Sequence, residues 1–442
     1  MEMTTFQKGI LGIFFVAMIV GVAFFAVQRG GDGKSASEVV MWGTVDADLM
    51  NSVSDALNEA DYNLGIKYRF IEEDRLVQTV LEALAAGTGP DIVMFPSDRF
   101  MELEDKFQRI PYDVLSEREF QDIFIEAGEM FMDYNGIVAL PIMVDPLITY
   151  WNRDLYSNAA VSRPPLFWDE LPALIPSLTK TDGTRTIYQS AIGMGEYQNV
   201  AHAKNIMQAL LLQSGNPVIT RIAATSNRAA TFDAVLTRRF ERALDPASAA
   251  LSFFTQFADP SRDTYTWNRS LRMSTDAFAA GELATYFGFA SELPDIQRQN
   301  PNLNYDVAPF PQARAATAKR SFGRVWGLAI PKNSKNAGSA YTTMLAITSQ
   351  AGVSALSADS VLPPVRRDML TTPPGNTWGR TFYDAAFTVR GVYDIPPTES
   401  NKVFRDMIEA VTSGRAGADN AVSRAEAEMD TIIGSRVNVW AE

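Results

Sequence analysis

Short apolar runs alternate, along the first part of the chain, with stretches whose apolar positions recur every three or four residues. Val39, Val40, Met41 and Trp42 make a run too short for a helix, opening into Gly43, Thr44, Val45 and Asp46. Over 48–60 the apolar residues fall at Leu49, Val53, Ala56 and Leu57, the spacing of a helix with one buried face. Residues 66–71 alternate, as a strand does. A second helical run over 75–86 closes at Gly87, which takes the left-handed conformation at low cost, and Gly89-Pro90 punctuates the turn. Asp91, Ile92, Val93, Met94 and Phe95 then read as a strand buried on both faces. This βαβαβ order predicts an α/β domain with a parallel sheet. Ligands of such sheets lie beyond the carboxyl ends of strands, where the polar Ser97, Asp98 and Arg99 follow.

Further on, 100–131 reads as helical with a turn at Pro111, 136–141 as a strand, and 145–152 as another strand-like run. A proline-rich entry at Pro164-Pro165 leads to a helix start that Asp169 can cap. The stretch 199–295 is helix-rich, with helices expected at 205–213, 245–257 and 274–280. Strands are expected at 284–289, 305–310 and 325–330, a connection at 312–320, and an extended segment at 361–366. Helices are expected at 337–348, 401–412 and 418–433. No internal repeat stands out.

Length and composition narrow the function. With 442 residues the chain can hold two domains, and 46% hydrophobic content marks a folded one. A net charge of −13 argues against nucleic acid, which calls for basic patches. The absence of cysteine removes disulfides, thiolate metal sites, a cysteine nucleophile and lipid attachment through an N-terminal cysteine. His202 is the one histidine, so a histidine-rich metal site is impossible; on a helical pattern it reads as structural. Gly193-Met194-Gly195 lacks the third glycine of a dinucleotide fingerprint, and neither a phosphate-binding loop nor a nucleophile elbow is present. Asp46 and Asp48 are too short a signal for calcium, and Glu72, Glu73 and Asp74 read as a solvated helix start. No cofactor or metal is expected.

At the N-terminus, residues 9–27 carry no charged side chain and match the length of a membrane span. Residues 28–37 make a Gly/Ser-rich linker. An uncleaved anchor is expected, with the large domain outside the cytoplasm; a signal peptide cleaved near Gly21-Val22-Ala23 is the rival. No second span follows, which excludes a channel or permease.

Several motifs in order carry a family resemblance over about 38–435. They are Val40 to Gly43; Ala85 to Ile92; Leu140-Pro141 with Asp145; and Tyr150 to Leu155. Pro164-Pro165 with Trp168 to Leu171 comes next, then Asp276 to Phe278 with Gly281 to Ala284. Phe310-Pro311, Gly327 to Ile330 and Ser334 to Asn336 complete the set. The chain resembles the bacterial extracellular solute-binding proteins of sugar ABC importers, the maltodextrin-binding group. That resemblance implies a type II periplasmic-binding-protein-like fold of two discontinuous α/β lobes closing on a ligand. Crossings near Met143, Arg320 and Thr372 give an N-lobe of 38–143 and 321–372 and a C-lobe of 144–320 and 373–435.

A sugar site combines carboxylates, amides and arginines for hydroxyls with aromatic plates for the C–H faces. Carried over by position, the resemblance points to Thr44 and Asp46, with Trp42 packing beneath, and to Phe95, Asp98 and Arg99. Maltodextrin-binding members have an aromatic where Phe95 stands, followed by the same Asp-Arg-Phe. Asp145 takes the place of a cleft carboxylate. Glu196 and Tyr197 fall in a C-lobe loop, and Phe289 or Ser291 lies near a tryptophan of the maltodextrin binders. Trp267, Arg324, Trp326 and Arg366 are added from loop or strand-end placement, whereas Trp168 reads as packing. The function implied is a membrane-tethered receptor that delivers a sugar to an ABC permease. Two other classes stand beside it: a carbohydrate-active enzyme using Asp98 and Asp145, and a sensing or assembly module of the cell envelope.

Overall fold

The run at 39–42 becomes strand β1 (Glu38–Gly43) of a computed structural model that describes residues 38–184, 186–222, 231–239, 245–316, 318–358 and 360–439. The expected anchor 9–27 and linker 28–37 lie outside the described residues. Helix α1 (Ala47–Glu59) buries Met50, Val53 and Leu57, and the Asp46 carboxylate caps it by accepting the Asp48 N–H at 2.8 Å. It leads to β2 (Gly65–Phe70); helix α2 (Leu76–Ala85), closed by Gly87 at φ 70°, leads to β3 (Ile92–Pro96). Both β2 and β3 pair in parallel with β1, completing the expected unit.

The two strand-like runs at 136–141 and 145–152 belong largely to one long strand, β4 (Leu140–Asn152), because Met143 and Val144 continue the buried run between them. After it come β5 (Ile187–Ile192), α3 (Ala203–Gln213), α4 (Pro246–Thr255), β6 (Leu283–Phe289), β7 (Tyr305–Ala308) and β8 (Ser321–Ala329). Helices α5 (Pro397–Thr412) and α6 (Ala418–Val439) close the chain. The main sheet runs β2-β1-β3-β8-β4-β6-β5.

Two strands join its halves. β8 pairs antiparallel with β3 and with residues 140–146 of β4; beyond that point β4 pairs with β6 and β7 instead. Pro146, which has no N–H to donate, falls at the changeover of partners. The result is two α/β lobes sharing β4 and β8. They also meet where Arg221 of a two-stranded hairpin (Ile219–Ile222 with Thr231–Ala234) pairs with Glu104 and with Asp133, both also held by Arg109. That hairpin lies in a stretch expected to be helix-rich.

Residues 100–131 are not one helical run. Short turns replace it: Phe100–Leu103, Glu117–Ile123 with a Ser116/Glu119 capping box, and Glu126–Phe131. The buried Phe100, Leu103, Phe107 and Ile110 hold an irregular segment against the sheet. Among the described residues no helix is long and apolar enough to cross a membrane.

Several of the family motifs turn out to be joints. The Asp91 carboxylate accepts from the Val40 N–H (3.1 Å), the Ser334 hydroxyl (2.8 Å) and the Asn336 amide (3.3 Å), tying three motifs that are distant in sequence. Asn152 caps the helix Arg153–Asn158 through the N–H groups of Asp154 and Leu155. Trp168 packs on Phe253, Phe287 and Phe310 and donates to Gln213.

Candidate functional site

Parallel strands end in backbone that has left the sheet, and four such ends supply the candidate site: those of β1, β2, β3 and β6. Where β8 crosses between the lobes, Arg324 stands directly opposite Asp145 of β4 in the ladder, which puts both side chains on one face of the sheet. Arg324 does not pair with Asp145. Its Nη2 donates instead to Glu73 Oε1 at 2.6 Å and to both oxygens of Asp98 at 3.3 Å. Burial alone would lower the Arg324 pKa; Asp98 and Glu73 outweigh it and raise it. The guanidinium also lies 5.0 Å from the ring centre of Trp326, whose Nε1 donates to Thr44 at 3.2 Å. Thr44, Glu73, Asp98, Arg324 and Trp326 are thus one connected group.

Asp145 belongs to a second group, across the crossing. Only 3% exposed, it accepts the Ser291 N–H at 3.1 Å. Burial pushes its carboxyl up to about 6, against the downward pull of Ser291 and Arg324. One residue on, Glu292 lies 2.7 Å from His202 Nε2 and accepts from the Tyr286 hydroxyl and, at 2.7 Å, from the Phe289 N–H. Burial pushes Glu292 upward, but these donors overcome it and hold the carboxyl below its usual range. His202 stands edge-on to Phe289 at 4.8 Å, in a left-handed conformation (φ 59°) at the start of α3.

The remaining sequence candidates are placed differently. Phe95 is fully buried and stacks on Phe100 and Phe107, so it is a core residue, not a cleft plate. Trp267 is likewise enclosed, its Nε1 donating to Asn199. Arg366 pairs with Asp368 and donates to the Thr348 carbonyl. Asp46 is spent on its cap. Arg99 turns to Glu102, and Glu196 is held by Arg269 at 2.8 Å. Tyr197 is half-buried, and burial pushes its hydroxyl up to about 12. Ser291 contributes its backbone N–H, while Phe289 contributes the ring beneath His202.

Sequence reasoning passed over Glu73, Glu292 and His202. Glu73 follows β2 as Asp98 follows β3, so the strand-end rule applied to Asp98 would have flagged it. A cavity of about 700 Å³ lies elsewhere, among Trp168, Leu210, Phe253 and the alanines of 313–318. None of Thr44, Glu73, Asp98, Asp145, Ser291, Glu292, Arg324 and Trp326 lines it.

The model of the family described as bacterial extracellular solute-binding protein matches residues 43–351, most of the chain and both strands of the crossing. The chain belongs to that family. Among curated proteins, this solute-binding protein is similar to a binding protein of Brucella abortus, 23% identical over 158 residues. The match covers 35% of this chain and 38% of the relative, under half of the relative's own length. A cyclo/maltodextrin-binding protein complexed with maltotetraose has the same fold, with a TM-score of 0.69 at 16% identity, covering 91% of this chain and 98% of that one. So does the cyclic α-maltosyl-1,6-maltose binding protein of Arthrobacter globiformis, with a TM-score of 0.69 at 15% identity, covering 90% and 99%. An ABC transporter solute-binding protein of Thermotoga lettingae bound with α-D-tagatose gives 0.60 at 19% identity, covering 90% and 100%.

Proposed function

We propose that this solute-binding protein captures a carbohydrate between its two lobes and delivers it to an ABC permease outside the cytoplasm. In this reading residues 9–27 anchor it to the membrane and 28–37 form the tether. The lobes are 38–143 with 321–372, and 144–320 with 373–435. Ligand would be held by Thr44, Asp98, Asp145, Trp326 and Ser291, with Glu196 and Tyr197 closing from the second lobe. The observation that carries the reading is the Asp145–Arg324 rung: polar groups converge where two strands pass between lobes, the place a closing ligand would bridge. Neighbours of the same fold that are named for maltodextrin, cyclic maltosyl-maltose and tagatose support the sugar class. Binding would shift an open–closed equilibrium, and the closed form would dock on the permease.

A thermal-shift screen of mono- and oligosaccharides tests this reading. A ligand at 100 times its Kd that binds only the folded form should stabilise it by about 2.7 kcal/mol. A saturable shift with one sugar class, lost in Asp98→Ala or Asp145→Ala and leaving the sugar uncleaved on product analysis, is the expected result. Cleavage would turn the reading to an enzyme. No shift with any sugar would turn it to an assembly or sensing role.

A further inference from the structure

Resting on the two-lobe reading, we propose that Arg221 ties the lobes together behind the crossing and so holds the cleft open, setting how readily it closes on a ligand. The two faces of β8 carry different neighbours. Arg324 and Trp326 point to one face, where Glu73, Asp98 and Thr44 meet them. Gly323 and Gly327 alternate with them and face the other way: a Cβ there would meet Val389 at 2.8 Å and the Phe131 ring at 3.0 Å. The candidate site is thus in front of the crossing, and Phe131 and Val389 lie behind it.

Behind the crossing the lobes are tied. The Phe131 ring lies 5.6 Å from Phe100, and Phe100 lies 5.8 Å from Tyr393 of the other lobe. Tyr393 donates to the Met130 carbonyl at 3.0 Å and stands edge-on to Phe232 of the hairpin at 5.1 Å. Arg221, directly opposite Phe232 in that hairpin, sets its guanidinium 5.8 Å from the Phe100 ring centre and 5.4 Å from that of Phe232. Its Nη2 reaches Glu104 and, at 3.4 Å, Asp133. Arg390 adds an ion pair with Glu126. In front the pattern is the reverse. Among the described residues the hydrogen bonds and ion pairs of Thr44, Glu73 and Asp98 stay within their own lobe, as do those of Glu196, His202 and Glu292.

Two bodies that turn about β4 and β8 shorten the front gap only by lengthening the back one. Contacts behind the pivot therefore favour the open form, and a ligand that closes the front must break them. Its apparent affinity is lowered by the fraction of molecules free to close. Arg221 is the member that can be lost without orphaning its partners. Arg109, from their own lobe, still holds Glu104 at 2.8 Å and Asp133 at 3.0 Å.

The test is a distance measurement between two spin labels on the full chain in detergent. The chain has no native cysteine, so Asp74→Cys and Ser270→Cys take one label each, at exposed positions next to Glu73 and Arg269 on the two sides of the cleft. Without ligand, Arg221→Met should shift the distance distribution to shorter values than in the parent. Tyr393→Phe, which removes the bond to Met130 and keeps the ring, should shift it the same way by less, and decides the matter should Arg221→Met not fold; thermal unfolding checks both. Distances unchanged or longer in the folded variants overturn the inference. Maltotetraose tests the receptor reading separately: it should shorten the parent's distance and bind Arg221→Met about fivefold or more tighter. Shortening by maltotetraose but not by Arg221→Met overturns the clamp and leaves the sugar reading in place. Shortening by Arg221→Met but not by maltotetraose supports the clamp and counts against that sugar.

Discussion

Asp145 carries a charge in a place that disfavours it. Its pKa, about 6 against an ordinary 3.8, means the folded chain keeps this proton to higher pH than the unfolded chain does. Between about pH 4 and 6 the folded state binds more protons, so this group's contribution to stability falls as pH rises, by on the order of 2–3 kcal/mol in all. Asp145→Asn keeps an acceptor for the Ser291 N–H and drops the charge. It should raise stability near about pH 7.5 by up to that amount, lose the gain near about pH 4, and weaken ligand binding. Urea midpoints at the two pH values check the first part. Arg324 presents the opposite case, a cation whose loss leaves Glu73 and Asp98 facing each other. Arg324→Met should cost about 1–3 kcal/mol, discounted for partial exposure, and Glu73→Gln in the same chain should recover part of it. A double-mutant cycle that proves additive would show the pair to be uncoupled. At this scale the sequence was half legible. Asp98, Arg324 and Asp145 could be named, but not that Arg324 would choose Glu73 over Asp145, since that depends on side-chain reach across a ladder.

Among elements, the βαβαβ opening was readable because each run there has one period and a clear stop. The stretch 100–131 was not, because its buried aromatics pack by tertiary contact and not by helical spacing. Phe95 shows the same limit: a strand-end aromatic can face the cleft or the core, and its neighbours Phe100 and Phe107 drew it inward. The motif aspartate Asp91 is a junction between elements. Buried at 7% exposure, it serves β1, Ser334 and Asn336 together. Asp91→Ala should destabilise the fold by about 2–3 kcal/mol through donors left without an acceptor. Chemical denaturation reads the loss, and ligand affinity per folded molecule should stay unchanged.

For the whole molecule, function depends on how the two lobes meet at β4 and β8. Gly323 sits in that crossing with no room for a side chain: a Cβ would lie 2.8 Å from both methyls of Val389 and 2.9 Å from the Asp145 carbonyl oxygen. Gly323→Ala should therefore cost about 1–3 kcal/mol and alter ligand affinity, because the strain lands on the backbone of Asp145, a residue of the proposed site. Val389→Ala in the same chain should relieve the part of the cost that comes from the methyls but not the part from the carbonyl, as thermal unfolding and titration of the pair would show.

Residues near one another in sequence determined the α/β class, the strand ends that carry polar groups, and the motif order that marks the family. They could do so because periodicity, glycine stops and caps act over a few residues. Only the tertiary structure decided that the runs at 136–141 and 145–152 merge into one crossing strand. It alone put Glu73 and His202 at the site, buried Phe95 and Trp267, and turned Arg324 away from Asp145 to Glu73 and Asp98. Those outcomes depend on contacts between segments up to 251 residues apart, such as Glu73 with Arg324, which local pattern does not encode.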